Sequence, residues 1–231
     1  MSTSLRPLNI GNPHRAACWL VFGVLVAFGF CIGASMGAYP GGTHFDARSA
    51  GYDFWANFWC DALRNPAING VPNGRGARLA TIALWVLSSG LIPFWGVAAS
   101  LSTPGRRGLG LAIQVLGVTA MLGMMGVTLL PSNEYPMLHG WLVLIAGPPG
   151  IAATALCIVA GATSPRVPRS VTWLGAAALV LALSNFVQYA RQFWLGVPGW
   201  ALLPAVQKVA TALFLGWVAA LCAIAFTRRW R

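Results

Sequence analysis

Few side chains in this sequence are equipped for chemistry. Two carboxylates, Asp61 and Glu134, and one imidazole, His139, stand beside apolar stretches. Such a set serves acid–base catalysis or, with more ligands, a metal ion. Asp61 and His139 are the catalytic candidates on that reading. No HExxH, HxxxH, GxSxG or CxxC occurs, nor any zinc-ligand spacing, so the sequence names no metal site and no cofactor.

A second group is polar without being catalytic. Asn185, Gln188 and Gln192 share one helical face by their spacing of three and four, with Arg191 beside them. Gln207 and Lys208 lie roughly 10 Å inside the last apolar run, about two helical turns. Arg64 follows Asp61 at the end of an aromatic stretch, Tyr52 to Cys60, suited to a membrane interface. An ionisable group within a membrane segment is costly and calls for a partner or a wet cavity. Lys208 therefore either snorkels to the headgroups or turns inward against Asp61 or Glu134. The inward orientation is preferred, with Asp61 as partner, because its polar neighbours supply a lining. The candidate ligand-binding set is Asp61, Arg64, Glu134, His139, Asn185, Gln188, Gln207 and Lys208. His14 and His44 read as solvated and outside it. Gln114 reads as a hydrogen-bonding link between helices.

The elements that must position these residues follow from composition. The chain has 231 residues, 57% hydrophobic and 8% charged. Soluble domains average about 25% charged residues, so the expected solvent is lipid. Six apolar runs are long enough to span: 17–38, 79–101, 109–130, 138–162, 171–191 and 201–226. The expectation is an all-α membrane bundle of six transmembrane helices, one domain over 1–231, with a long loop at 39–78. The first run is too long for a signal-peptide core, so no cleavage is expected.

A net charge of +11 raises the question of nucleic acid. The basic residues are scattered over short loops without a stripe or interleaved aromatics, so no nucleic-acid partner is expected. They serve as a topology signal instead. Arg6, Arg15, Arg106, Arg107, Arg166, Arg169, Arg228, Arg229 and Arg231 fall in segments without an acid. Asp46, Asp53, Asp61 and Glu134 all fall in the alternate loops. The positive-inside rule then puts both termini in the cytoplasm and the polar group at the outer face.

Packing signals accompany this. Gly29, Gly33 and Gly37 form a stripe that favours close helix approach. Pro93, and Pro148 with Pro149, predict a kink or break in the second and fourth spans. Trp55, Trp59, Trp141, Trp194 and Trp200 read as an interfacial belt. Four cysteines lie in apolar runs as packing residues; a Cys31–Cys60 pair is conceivable but not expected, because no disulfide spacing is visible.

Tyr39-Pro40-Gly41-Gly42 is followed by Asn57-Phe58-Trp59-Cys60-Asp61-Ala62-Leu63, then Leu130-Pro131-Ser132-Asn133-Glu134, His139 and Gln207-Lys208. This order resembles the bacterial domain-of-unknown-function 998 membrane proteins, similar in outline to Frag1-like proteins. The resemblance spans nearly the whole chain and departs at Cys60 for Ser, Ala62-Leu63 for Leu-Gly and Lys208 for Arg. It implies six helices in a bacterial inner (plasma) membrane and an outward polar site at Asp61, His139, Gln207 and Lys208. It implies no established activity, and only by analogy a lipid ligand.

Three functions remain open at this point. The first is binding or carrying a lipid headgroup or another small amphiphile, with Arg64 and Lys208 meeting an anionic group. The second is a membrane-embedded hydrolase of a lipid or lipid-linked substrate using Asp61 and His139. The third is a structural partner protein without a ligand.

Overall fold

The computed structural model describes residues 13–103 and 105–227. Among these the chain is helical: α1 (Pro13–Ala38), α2 (Gly74–Gly90), α3 (Ile92–Ser102), α4 (Arg107–Leu129), α5 (Pro136–Ala162), α6 (Arg169–Leu195) and α7 (Leu203–Thr227). The described residues form no strand, only an isolated bridge between Gly41 and Ala50. Helix is the expected solution, because lipid offers no partner for an open backbone N–H or C=O. α2 and α3 together make one span, Gly74–Ser102, so six segments are long and apolar enough to cross a membrane. The second span starts several residues before the apolar run, because its first turn, Gly74-Arg75-Gly76-Ala77-Arg78, is helical but charged.

The two proline sites behave differently. Leu91 separates α2 from α3, and Pro93 falls in the first turn of α3, where its missing donor is not needed. Pro148 and Pro149 lie inside α5, which continues through them as one helix, so of the kink or break expected there the break does not occur. The flanking Gly147 and Gly150 open that stretch toward an internal cavity.

Neighbour contacts arrange the helices in a ring: α1, α2, α4, α5, α6, α7 and back to α1. α3 touches α1, α4, α5 and α7, so it sits inside the ring. It fills the end at which α1 begins and α7 finishes, here the terminal end. The loop end, opposite, carries residues 39–73. At the terminal end Arg15 lies over the Phe226 ring at 4.7 Å, and Arg166 donates to the Ser100 carbonyl at 3.1 Å. Arg6, Arg228, Arg229 and Arg231 lie outside the described residues.

The main core surrounds α3. Phe94 and Trp95 pack among Cys18 and Val21 of α1, Ile113 of α4, Cys157 of α5 and Trp217 of α7. Gly117 lies flat against the Trp95 ring, where a Cβ would approach to 2.1 Å, and Gly175 faces Trp217 likewise at 2.6 Å. A smaller core at the loop end joins Phe28 and Ile32 to Ala62, Leu63 and Leu84.

Several sequence expectations are corrected here. Gly29, Gly33 and Gly37 face outward, with nothing within 4 Å of where a Cβ would stand. The tight helix contacts instead use Gly90, Gly117, Gly123, Gly140 and Gly175. Gln114 is exposed and links no helices. All five cysteines are free thiols, and the Cys31–Cys60 pair, which the sequence did not favour, is not made. Trp55, Trp141, Trp194 and Trp200 are exposed as a belt requires, but Trp59 turns inward.

Candidate functional site

The loop at 39–73 is a folded cap, and its shape begins with Tyr39-Pro40-Gly41-Gly42. Gly41 and Gly42 adopt φ of 141° and 89°, which side chains disfavour. A Cβ at Gly42 would also stand 2.5 Å from the Asn69 amide nitrogen. The buried Tyr39 hydroxyl donates to the Gly42 carbonyl at 3.3 Å and accepts from the Ile68 amide at 3.2 Å. The two halves of the cap thus close on each other.

Asn57, fully buried, is the hub. Its Nδ2 donates to the Gly42 carbonyl at 2.8 Å and to Asp61 Oδ2 at 3.2 Å, while its Oδ1 accepts from the Asp53 amide at 2.9 Å. Asp61 opens out of the short 3-10 helix Trp59–Leu63 and accepts the Phe58 amide at 2.8 Å. Its Oδ1 meets His44 Nε2 at 3.1 Å. Three hydrogen bonds thus meet this buried carboxylate, two on Oδ2 and one on Oδ1, as a carboxylate removed from water requires.

α7 holds the cap from below. The Trp59 backbone N–H donates to Gln207 Oε1 at 3.0 Å, and its indole N–H to Thr211 Oγ1 at 3.2 Å. Lys208, 2% exposed, donates to the Asn57 carbonyl. Its nitrogen lies 5.0 Å from the ring centre of Trp59 and 5.5 Å from those of Tyr52 and Phe54. A cation in such a cage is held by ring quadrupoles and a carbonyl dipole. Lys208 is thus inward-facing as expected, but its partner is not Asp61. Among the described residues the sole ion pair within 4 Å is His44–Asp61. Lys208 reaches Asp61 only through Asn57.

Beneath the cap lies a cavity of about 580 Å³, within the common range of small-molecule sites, about 300–1,000 Å³. Its rim is polar: His44, Asp61, Arg64, Ser132, His139 and Gln207, with Asn185, Tyr189 and Gln192 on α6. Below the rim the walls are apolar, formed by Leu87, Met124, Val143, Ala146, Phe186 and Phe214. Trp95 of α3 and Thr154 of α5 also line it. From His139 to Thr154, α5 lines it over roughly 22 Å at 1.5 Å per residue.

Arg64 stands out on the rim. One guanidinium nitrogen donates to Ser132 Oγ at 3.4 Å, and Nε is buried with no acceptor. An unmade hydrogen bond of that kind costs about 1–3 kcal/mol. His139, buried, gives its Nδ1 proton to the Leu130 carbonyl at 2.7 Å, closing the end of α4. Nothing hydrogen-bonds it to Asp61.

Of the eight expected site residues, Asp61, Arg64, His139, Asn185 and Gln207 converge on the cavity. Glu134 does not; it is exposed on the α4–α5 turn. Gln188 lies off the cavity and accepts from Arg191 at 3.4 Å. Lys208 serves the cap. His44 is exposed as expected but does not lie outside the cluster: it is the imidazole that Asp61 engages. Sequence reasoning also passed over Asn57 as a site residue. Its spacing of four from Asp61 inside an aromatic stretch was the available signal, whereas nothing local marked His44.

Burial, and next the carboxylate of Asp61, pushes the Cys60 thiol up to about 12. It is therefore a neutral thiol at ordinary pH rather than a nucleophile. Burial likewise raises the Tyr52 phenol. No three of His, Cys, Asp and Glu among the described residues gather as a metal site. Comparison with family models, with curated proteins and with solved structures found no match for this chain.

Proposed function

We propose that this protein binds or carries a small amphiphile, such as a membrane lipid, with the polar part at the cavity rim and the apolar part in the chamber below. The carrying observation is the polarity gradient inside one cavity, polar at the loop end and mainly apolar toward α3. The arginines of the terminal end support, by the positive-inside rule, a cytoplasmic position for that end and an outward-facing cavity rim. The resemblance to the domain-of-unknown-function 998 family supports the same setting. Lipid retained by protein purified in mild detergent tests the reading. Wild-type protein should carry amphiphile at near-stoichiometric amounts, and Ala182→Phe, which fills the chamber, should lose it while folding normally. Wild-type protein that neither retains nor takes up any amphiphile would sink the proposal. Labelling of a cysteine at position 106 from outside intact cells would overturn the orientation.

A hydrolase remains the second reading, now carried by the His44–Asp61 pair in place of Asp61 and His139. The carboxylate orients an imidazole at the rim, where it is placed to accept a proton from water. Turnover of a lipid ester lost in His44→Gln would favour it. Lipid binding unchanged in His44→Gln, with no turnover by the wild type, would remove it.

A further inference from the structure

We infer that the amphiphile is anionic, an acyl chain ending in a carboxylate or phosphate monoester, and that Arg64 receives its head. This rests on the amphiphile reading above and names the ligand class. The rim carries one carboxylate, Asp61, already engaged by His44, Asn57 and the Phe58 amide. Arg64 has no such partner. Its side chain makes a single hydrogen bond, the long one to Ser132, its Nε finds no acceptor, and no carboxylate stands within 4 Å of it. Glu134, close in sequence to Ser132, points to solvent instead. A guanidinium fork on a cavity rim matches the paired oxygens of a carboxylate or phosphate. The chamber beneath it is long and apolar, which selects an acyl chain over a free anion. Lys208, the other cation nearby, is already held by the Asn57 carbonyl and three aromatic rings and does not line the cavity. The positive charge open to a ligand is therefore that of Arg64.

The test uses full-length protein in neutral detergent and native mass spectrometry with four probes: palmitate, 1-palmitoyl lysophosphatidate, hexadecanol and inorganic phosphate. Palmitate and lysophosphatidate should bind at least about tenfold more tightly than hexadecanol, the gain expected of charge-assisted hydrogen bonds. Arg64→Gln should erase that preference and leave hexadecanol unchanged, and Arg64→Lys should keep part of it. Equal binding of palmitate and hexadecanol by the wild type, or a preference that persists in Arg64→Gln, overturns the anionic assignment and leaves the amphiphile reading standing. Binding of inorganic phosphate as tight as that of lysophosphatidate also overturns it, since the chain would contribute nothing. Failure of every chain-bearing probe removes the amphiphile reading itself. Should Arg64→Gln not fold, the wild-type probe series together with Arg64→Lys still decides.

Discussion

The two halves of the bundle are built on opposite terms. At the terminal end α3 occupies the centre of the ring, and Trp95 and Trp217 lie tightly against Gly117 and Gly175, with Phe94 packed between the two rings. At the loop end the same ring of helices has no central element, and a cavity of about 580 Å³ remains. The difference comes from one residue step. The chain breaks at Leu91, so that α2 stays in the wall while α3 crosses inside. In lipid, apolar contact with acyl chains replaces the hydrophobic drive, and close packing supplies much of the stability. Stability therefore gathers in one half and leaves the other free to be hollow.

The largest test of that contrast is Trp217→Ala, which opens a void in the filled half. It should cost about 3–5 kcal/mol, the usual range for a buried aromatic, measured by denaturant unfolding in micelles. A loss below about 1 kcal/mol would mean that the core around α3 is not the stabilising half. Next comes the cap. Asp61→Ala removes the acceptor shared by the Asn57 side chain, the Phe58 amide and His44, and Lys208→Met leaves the Asn57 carbonyl without its partner. Each should cost roughly 3 kcal/mol, as for one member of a buried charged network, and limited proteolysis should then cut within residues 43–58. A cap that resists protease in both variants would break the account of how it is held.

Smaller effects sharpen the comparison. Met124→Ala and Val143→Ala, on the cavity wall, should cost under about 1 kcal/mol each, because the space they enlarge is already open. The least effect on stability, but a clear one on reactivity, concerns Cys60. In a variant retaining that cysteine alone, alkylation should rise about tenfold per pH unit from pH 8 to beyond 10, without the plateau of an ordinary thiol near 8.5. The sign follows from the neutral form being favoured by the fold. A plateau near pH 9 would show the thiol to be in open water.

The spans were legible in the sequence because apolar length alone specifies them, as the fourth run, 138–162, shows against α5 (Pro136–Ala162). Arg64, His139 and Gln207 were legible as polar groups too near lipid to be idle. What stayed hidden was which polar group meets which. Lys208 and Asp61 have the charges of a pair, and only the path of the cap inserts Asn57 between them. His44 sits in a loop whose course is set by Gly41 and Gly42 and by contacts with residues 65–73, none of which has a periodicity to read. The glycine stripe of α1 failed for a related reason. Spacing shows that Gly29, Gly33 and Gly37 share a face, but not which way the face points.

The stitches between the cap and α7 join residues 148 to 152 positions apart. A ribosome adding roughly 5–20 residues per second delivers Trp59 well before Gln207, Lys208 and Thr211. During that interval the cap has no floor to rest on, and the rim of the cavity does not yet exist. Synthesis order therefore completes the cavity only once α7 has been made. A chain stopped before α7 would retain five of the six spans and display its early loop as an open substrate for proteases, so quality control could distinguish finished from unfinished molecules by that loop alone.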